Sequence, residues 1–139
     1  MFSIRRALTP RVAARAHCDV PCGIYDPIAA TIAAQTVAKM VEKINDLKGN
    51  MDTAGANTFT RCVTVKEEHA EKVKREVTIL WGDYFKPEHL AKHPDLHTLV
   101  WQTLKLASKN KQNVDAAAAA ELQANVKRIS DIFWETKKG

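Results

Sequence analysis

The chain has 139 residues, the length of one domain, and its 21 Lys and Arg against 16 Asp and Glu give a formal net charge of +5. No stretch approaches the roughly 20 apolar residues of a membrane-spanning helix, and three cysteines are too few for a disulfide scaffold. Four of the basic residues are arginines within residues 1–16, so the rest of the chain carries 21 − 4 = 17 basic against 16 acidic groups. We therefore expect neither a nucleic acid nor a membrane as partner.

Residues 1–16 are predicted to be a cleavable targeting leader. They hold four arginines, no Asp or Glu and scattered apolar residues, a composition typical of organellar transit peptides, and lack the long apolar core of a secretory signal. An ordinary disordered basic tail is the alternative. Arg15-Ala16 resembles the arginine-at-minus-two pattern of mitochondrial processing sites, and cleavage there would make His17 the new N-terminus. We expect import into an organelle, the mitochondrion rather than the plastid.

Residues 17–25, His-Cys-Asp-Val-Pro-Cys-Gly-Ile-Tyr, are predicted to form a compact metal-binding hook. Pro21 removes a backbone donor and disfavours a helical conformation at Val20. Gly23 permits a sharp bend. The segment is therefore not a smooth helix, and it can aim both of its thiols at one point.

The hook offers soft and borderline metal ligands at high density. Zinc would want about four ligands, and the obvious ones are His17, Cys18 and Cys22, with Asp19 a weaker candidate. The missing donor has to come from the backbone, from another part of the chain, or from a terminus such as a freed His17 α-amine.

Four amphipathic helices are predicted after the hook. Asp26-Pro27 is a helix start, and helical spacing continues from there to Gly49-Asn50. Residues 50–57 are predicted to be a loop, residues 58–81 a second helix, and Pro94 the start of a third. After a polar turn at residues 110–113, Asp115 is predicted to cap the fourth helix. The predicted fold is all-α, an antiparallel four-helix bundle over residues 26–139.

Two further features of these helices have simple structural interpretations. The charged stretch 66–76 is predicted to be a solvated face or a helix–helix contact, and Cys62 a small buried hydrophobe. Three histidines recur every four residues around Pro94, at His89, His93 and His97. Because the proline interrupts the helix, they need not share a face, and a second metal site is not the preferred interpretation.

Three segments together resemble a known family. The hook motif with Asp26-Pro27, the stretch Leu-Trp-Gly-Asp-Tyr-Phe-Lys-Pro at 80–87 and Ile-Phe-Trp-Glu-Thr-Lys-Lys at 132–138 are similar to nickel-containing superoxide dismutase. The resemblance covers the chain after Ala16. It implies a helical-bundle enzyme, a homohexamer, whose nickel cofactor cycles between Ni(II) and Ni(III) to convert superoxide anion to dioxygen and hydrogen peroxide.

The resemblance also implies a ligand set. In the family, nickel is held by the terminal amine, the next amide nitrogen, two thiolates and the first imidazole. In this chain these are the His17 amine and side chain, the Cys18 nitrogen and sulfur, and the Cys22 sulfur. Thiolates and anionic nitrogen donors push electron density onto nickel and make its oxidation accessible.

Other site residues follow from the same resemblance. Tyr25 is implied to gate the substrate, and Lys86 to attract superoxide; a packing role for Tyr25 and an ordinary surface role for Lys86 are the alternatives. The remaining residues are implied to order or anchor the hook, namely Asp19, Pro21, Gly23, Asp83 and Tyr84.

The chain departs from the family pattern at two positions. The family typically carries glutamate at the position of Ala33 and arginine at the position of His69, a pair associated with orienting the axial imidazole. Groups in such positions usually tune a metal strongly. We therefore expect a less firmly held His17 imidazole and slower turnover in the oxidised state; a substitute contact from His69 is the alternative.

Two other functions compete with the enzyme. One is a nickel or copper carrier that binds metal without turnover. The other is a structural helical protein with a Cys18–Cys22 disulfide, although the single Cys-x3-Cys pair and its internal proline argue against that.

Overall fold

The computed structural model describes residues 23–138, and within this range the chain is helical and contains no β-strand. Its elements follow in the order α1 Ile28–Asp46, α2 Thr53–Ile79, a π-helical turn Leu80–Tyr84, α3 Pro87–Lys92, α4 Leu96–Gln112 and α5 Ala116–Lys137.

The four long helices pack as a bundle. Both α1 and α4 make their main contacts with α2 and α5, so α1 lies diagonally opposite α4. The side chains between them are aliphatic with one aromatic ring, and the fully buried ones include Val37, Val41, Val73, Val77, Leu96, Leu122 and Phe133. Burying each such side chain contributes about 1.5–3 kcal/mol. The predicted all-α four-helix bundle is confirmed.

Carboxylates lie at the starts of three helices. Asp115 caps α5 as predicted, with its Oδ1 accepting from the Ala118 N–H at 3.0 Å. Asp26 Oδ1 accepts from the Ile28 N–H at 2.8 Å, but the N-cap residue of α1 is Pro27, one residue later than predicted. Asp52 Oδ1 accepts from the Gly55 N–H at 2.7 Å and caps α2. The predicted loop 50–57 is therefore wrong from residue 53 onward, because the Asp52 cap starts the helix five residues before Thr58.

The third and fourth helices also differ from the prediction. Helix α4 begins at Leu96, two residues after Pro94, and continues to Gln112, so most of the predicted turn 110–113 is helical. The short helix α3 was not predicted. Pro87 occupies its first position, where a missing N–H costs nothing.

The charged stretch 66–76 contains one residue that is not solvated. Lys66 is 1% exposed, and its ammonium donates to the carbonyl oxygens of Asn110 and, at 2.9 Å, Lys111 in the last turn of α4. Burial lowers the pKa of the Lys66 side chain, against the nearby Glu67 carboxylate, which raises it. The two carbonyls and the negative end of the α4 dipole stabilise the ammonium there.

Asn110 extends this buried junction to α5. Its Nδ2 donates to the Leu106 carbonyl at 2.9 Å and to the Ala118 carbonyl at 3.0 Å. The side chains of Lys66 and Asn110 therefore join α2, α4 and α5. Cys62 is a buried free cysteine, as predicted.

None of the described helices combines the length and the apolar character that crossing a bilayer requires.

Candidate metal centre and its cleft

Most of the predicted metal ligands and hook residues lie outside the described range, namely His17, Cys18, Asp19, Pro21 and Cys22. The described chain begins at Gly23, whose φ of +69° lies in the left-handed region that favours glycine. A bend at the end of the hook is therefore built into the backbone.

A cleft of about 340 Å³ lies where Gly23 joins the bundle. Its lining residues are Gly23, Tyr25, Asp83, Tyr84, Lys86, His89 and Thr136. All five predicted site residues that fall within the described range border this one cleft. The fold thus brings together residues from the start of the described chain, the π-helical turn, the start of α3 and the end of α5.

The π-helical turn and the residues just after it set the positions of two of these cleft residues, Tyr84 and Lys86. The Phe85 N–H donates to the Leu80 carbonyl at 3.0 Å, a bond spanning five residues that closes the wider turn. Phe85 then turns to an extended conformation, and Pro87 starts α3. Tyr84 and the exposed Lys86 consequently lie on either side of a sharp change of direction. Single π-helical turns of this kind are common at functional sites.

Tyr84 is the central ring of the cleft. Its centroid lies 4.4 Å from that of Phe133 and 5.6 Å from those of Tyr25 and His89. Its hydroxyl oxygen lies 3.0 Å from Thr136 Oγ1. The ring is therefore fixed against α5 on one side and faces Tyr25 on the other.

Tyr25 is held through its backbone by the end of α5. Lys137 Nζ donates to the Tyr25 carbonyl oxygen at 3.2 Å. The same ammonium lies 5.2 Å from the Phe133 ring centroid and 5.7 Å from that of Trp134, within the range of cation–π attraction.

The three histidines lie in three different surroundings. His89 Nδ1 accepts from the Lys86 N–H at 3.2 Å, His93 Nε2 lies 3.6 Å from Glu135 Oε1, and the His97 ring is 4.3 Å from that of Trp81. Between residues 23 and 138, no three His, Cys, Asp or Glu side chains are grouped so as to hold a metal ion.

The two positions that depart from the family pattern, Ala33 and His69, both lie within the described range. Ala33 is buried in α1 at 1% exposure. His69 is half-buried on α2, and its Nδ1 lies 2.9 Å from the Val65 carbonyl oxygen one turn earlier. His69 is therefore engaged with its own helix through one ring nitrogen.

Thr136, Lys137 and His89 are site residues that the sequence does not predict. The segment 132–138 had marked the family resemblance, and that signal was the only one available for the two α5 residues. Their contacts with Tyr84 and Tyr25 join residues 52 and 112 positions apart, a distance over which helical periodicity carries no information.

A helical bundle with a tyrosine-lined cleft at Gly23, preceded in the sequence by a segment rich in thiol and imidazole groups, points to the class of small helical metalloproteins. Within that class, the family Nickel-containing superoxide dismutase matches residues 12–137. The chain belongs to this family.

Named relatives and solved structures agree with this assignment. Superoxide dismutase [Ni] of Streptomyces coelicolor is 44% identical over 97% of this chain and 98% of its own length, and that of Streptomyces seoulensis is 40% identical over the same shares. The native structure of Nickel Superoxide Dismutase is 44% identical, with a TM-score of 0.77, and covers 88% of this chain and 100% of its own.

Proposed function

We propose that this protein is a nickel-dependent superoxide dismutase that converts two superoxide anions and two protons to dioxygen and hydrogen peroxide. The observation that carries the proposal is the cleft at Gly23, where Tyr25, Tyr84 and Lys86 converge on the point at which the donor-rich segment meets the bundle. Family membership supports the same reaction.

The donor set of the chain fits nickel. Two thiolates, an imidazole and, after cleavage, a terminal amine are strong donors that would make the oxidation of bound Ni(II) accessible. We assign the metal to His17, Cys18 and Cys22, with the His17 amine and the Cys18 backbone nitrogen completing the set. Bound nickel supplies a centre that takes one electron from a first superoxide and returns it to a second.

The described residues control access to that centre. Lys86 is exposed at the cleft and attracts an anionic substrate. Electrostatic steering of this kind raises association rates by about 10- to 1,000-fold. The Tyr25 and Tyr84 rings, 5.6 Å apart, narrow the cleft and restrict the approach of molecules larger than a small anion. Asp83 and Tyr84 anchor the hook on the bundle, and Asp19, Pro21 and Gly23 shape its turn.

We propose that residues 1–16 are removed and that residues 17–139 form the working domain. The curated relatives align with 97% of this chain, whereas the complete chain of the native solved relative covers 88% of it, about 122 of 139 residues. The segment 17–139 contains 123 residues, which supports cleavage close to His17.

Import into the mitochondrion stays a prediction. The Streptomyces relatives are bacterial and align across 97% of this chain, so an N-terminal segment aligned with most of residues 1–16 also occurs where no organelle is the destination. A fusion of residues 1–16 to a fluorescent reporter tests the prediction. Accumulation in the mitochondrion supports the prediction, accumulation in the plastid shows that the organelle is wrong, and diffuse fluorescence rejects import into an organelle.

We also propose that the protein assembles with itself, as the homohexamer implied by the resemblance. Ile28 and Ile32, one turn apart on α1, are 54% and 52% exposed, and Ile24 in the segment before the helix is 72% exposed. Large exposed aliphatic side chains close together in the chain favour a protein contact. Light scattering on the purified protein gives the mass, and a monomer would reject the assembly.

The activity is tested by measuring superoxide decay with nickel-loaded, copper-loaded and metal-stripped protein. We expect decay only with nickel, loss of it in Cys22→Ser, and retention in the matched control Cys62→Ala, whose cysteine lies inside the bundle. Nickel binding without superoxide decay would establish the carrier function instead. Full activity in Cys22→Ser would reject the proposed centre.

A further inference from the structure

We propose that Lys137 is a positioning residue of the metal centre, holding the exit of the hook against the end of α5. The inference rests on the proposed function, because it assigns the residue to the same nickel site. Lys137 acts through Tyr25, the third residue after Cys22.

The contact joins the two ends of the described chain. Lys137 Nζ donates to the Tyr25 carbonyl oxygen at 3.2 Å across 112 residues of sequence. One residue later, Asp26 Oδ1 accepts from the Ile28 N–H at the start of α1. The backbone between the hook and the bundle is therefore fixed at two neighbouring points, by an ammonium at Tyr25 and by this hydrogen bond at Asp26.

The ammonium is itself held in place. It lies over the Phe133 and Trp134 rings at 5.2 and 5.7 Å, so its approach to Tyr25 costs less side-chain freedom than an unsupported lysine would lose. A neutral side chain of the same length keeps the aliphatic contacts with these rings but cannot donate to the carbonyl. An apolar replacement of Lys137 therefore loses the positive charge and the hydrogen bond to the Tyr25 carbonyl, but not the aliphatic packing.

The preceding residue fixes the opposite wall of the cleft. Thr136 Oγ1 donates to the Phe133 carbonyl at 2.8 Å, which uses its only hydrogen. The Tyr84 hydroxyl oxygen lies 3.0 Å from Thr136 Oγ1, and the hydroxyl donates at 3.5 Å to the same Phe133 carbonyl. One turn of α5 thus holds the ring of Tyr84 and the backbone of Tyr25, and so sets the spacing of the two tyrosines.

This placement matters because groups around a metal set the orientation of its ligands. Losing such a group typically costs about 10- to 100-fold in metal affinity or activity. Lys137 acts through three intervening residues, so we expect the lower end of that range. Its loss leaves the fold intact, because its side chain is exposed.

The test compares Lys137→Met, Lys137→Arg and the matched control Lys138→Met. Lys138 is the next residue, is also exposed and carries the same charge. Nickel affinity is measured by competition with a chelator, and the environment of the metal by the sulfur-to-nickel charge-transfer bands in absorption and circular dichroism. Far-ultraviolet circular dichroism monitors the helices.

We expect Lys137→Met to bind nickel about tenfold more weakly and to shift the charge-transfer bands. Lys137→Arg, which retains a cationic donor, should restore both toward wild type, and Lys138→Met should match wild type. Lys137→Met indistinguishable from Lys138→Met in affinity and spectrum would overturn the inference. Failure of the proposed function differs from this result, because the wild-type protein itself would then not bind nickel or remove superoxide.

Discussion

The two ends of the bundle use polar residues in opposite ways. At one end, Lys66 and Asn110 are buried and donate to main-chain carbonyls of α4 and α5. At the other end, Tyr25, Tyr84 and Lys86 border an open cleft. Between Ala118 and Phe133 these regions are separated by about 22 Å of α5, at ~1.5 Å per residue.

The difference separates residues that hold the bundle together from residues that serve chemistry. The donors at the Lys66 end bond to carbonyls within the bundle, and substituting them should change the free energy of unfolding. The groups at the cleft are partly exposed and adjoin the segment assigned to nickel, so substituting them should change metal binding or rate. A substitution at the Lys66 end should therefore change stability but not activity, and a substitution at the cleft should change metal binding or rate.

The largest expected effect is at the closed end. Lys66→Met removes the ammonium and leaves two carbonyls of α4 without their donor, which should lower the free energy of unfolding by about 2 kcal/mol. Urea denaturation measures it, with Lys72→Met, an exposed lysine on the same helix, as the control. Superoxide decay at saturating nickel should be unchanged. A stability equal to that of the control would show that the buried ammonium is not needed there.

Lys86 provides the complementary test at the cleft. Lys86→Gln should slow superoxide removal by about tenfold at low ionic strength, because it removes a cation that attracts the substrate. Since salt screens this attraction, the gap should narrow as ionic strength rises. Lys48→Gln makes the same charge change about 28 Å of helix away, at the far end of α1. Equal effects of the two variants would rule out local steering.

A smaller effect is expected from restoring the family pattern at two positions. Ala33→Glu alone places an unpaired carboxyl at a buried position and should destabilise the fold. Combined with His69→Arg, which supplies a cation, it should recover stability and raise turnover, by up to about tenfold. Superoxide decay and urea denaturation of the single and double variants measure this. No gain in turnover from the double variant would reject the idea that these departures slow the enzyme.

The smallest expected effect concerns acid stability at the closed end. The Ala118 N–H and the Lys109 ammonium lower the pKa of Asp115 below its usual 3.8. A carboxyl with a lowered folded-state pKa stabilises the fold above pH 3.8 and loses that contribution as the pH falls through the folded value. Asp115→Asn keeps a capping side chain but cannot titrate. Its unfolding should therefore lack this part of the acid dependence, measured as urea midpoints between pH 6 and 3.

Much of the fold could be predicted from the sequence because its signals are local. Asp26, Asp115 and the helical spacing of the core positions act within a few residues, and each gave the correct element. Asp52 was missed because Gly55 and Asn57 suggested a loop. Gly55 is needed inside the helix, since a Cβ there would collide with the Asn50 carbonyl oxygen.

Contacts between distant elements could not be predicted in this way. Lys66 has the sequence surroundings of a solvated lysine, and only the approach of the α4 end supplies its two carbonyl partners. Likewise, Lys137 and Thr136 meet Tyr25 and Tyr84 only once α5 lies beside the start of α1 and the π-helical turn. The family resemblance identified five of the seven residues that line the cleft, but not His89 and Thr136, nor the contacts that fix the cleft.

The proposed nickel site requires, above all, a free amine on His17. The direct measurement is N-terminal sequencing of the active protein, with nickel quantified and superoxide decay recorded on the same sample. We predict a chain that begins at His17, carries one nickel ion and removes superoxide, whereas a chain that keeps Ala16 binds nickel poorly and is inactive. Full activity in a protein whose Ala16–His17 peptide bond is intact would contradict the account.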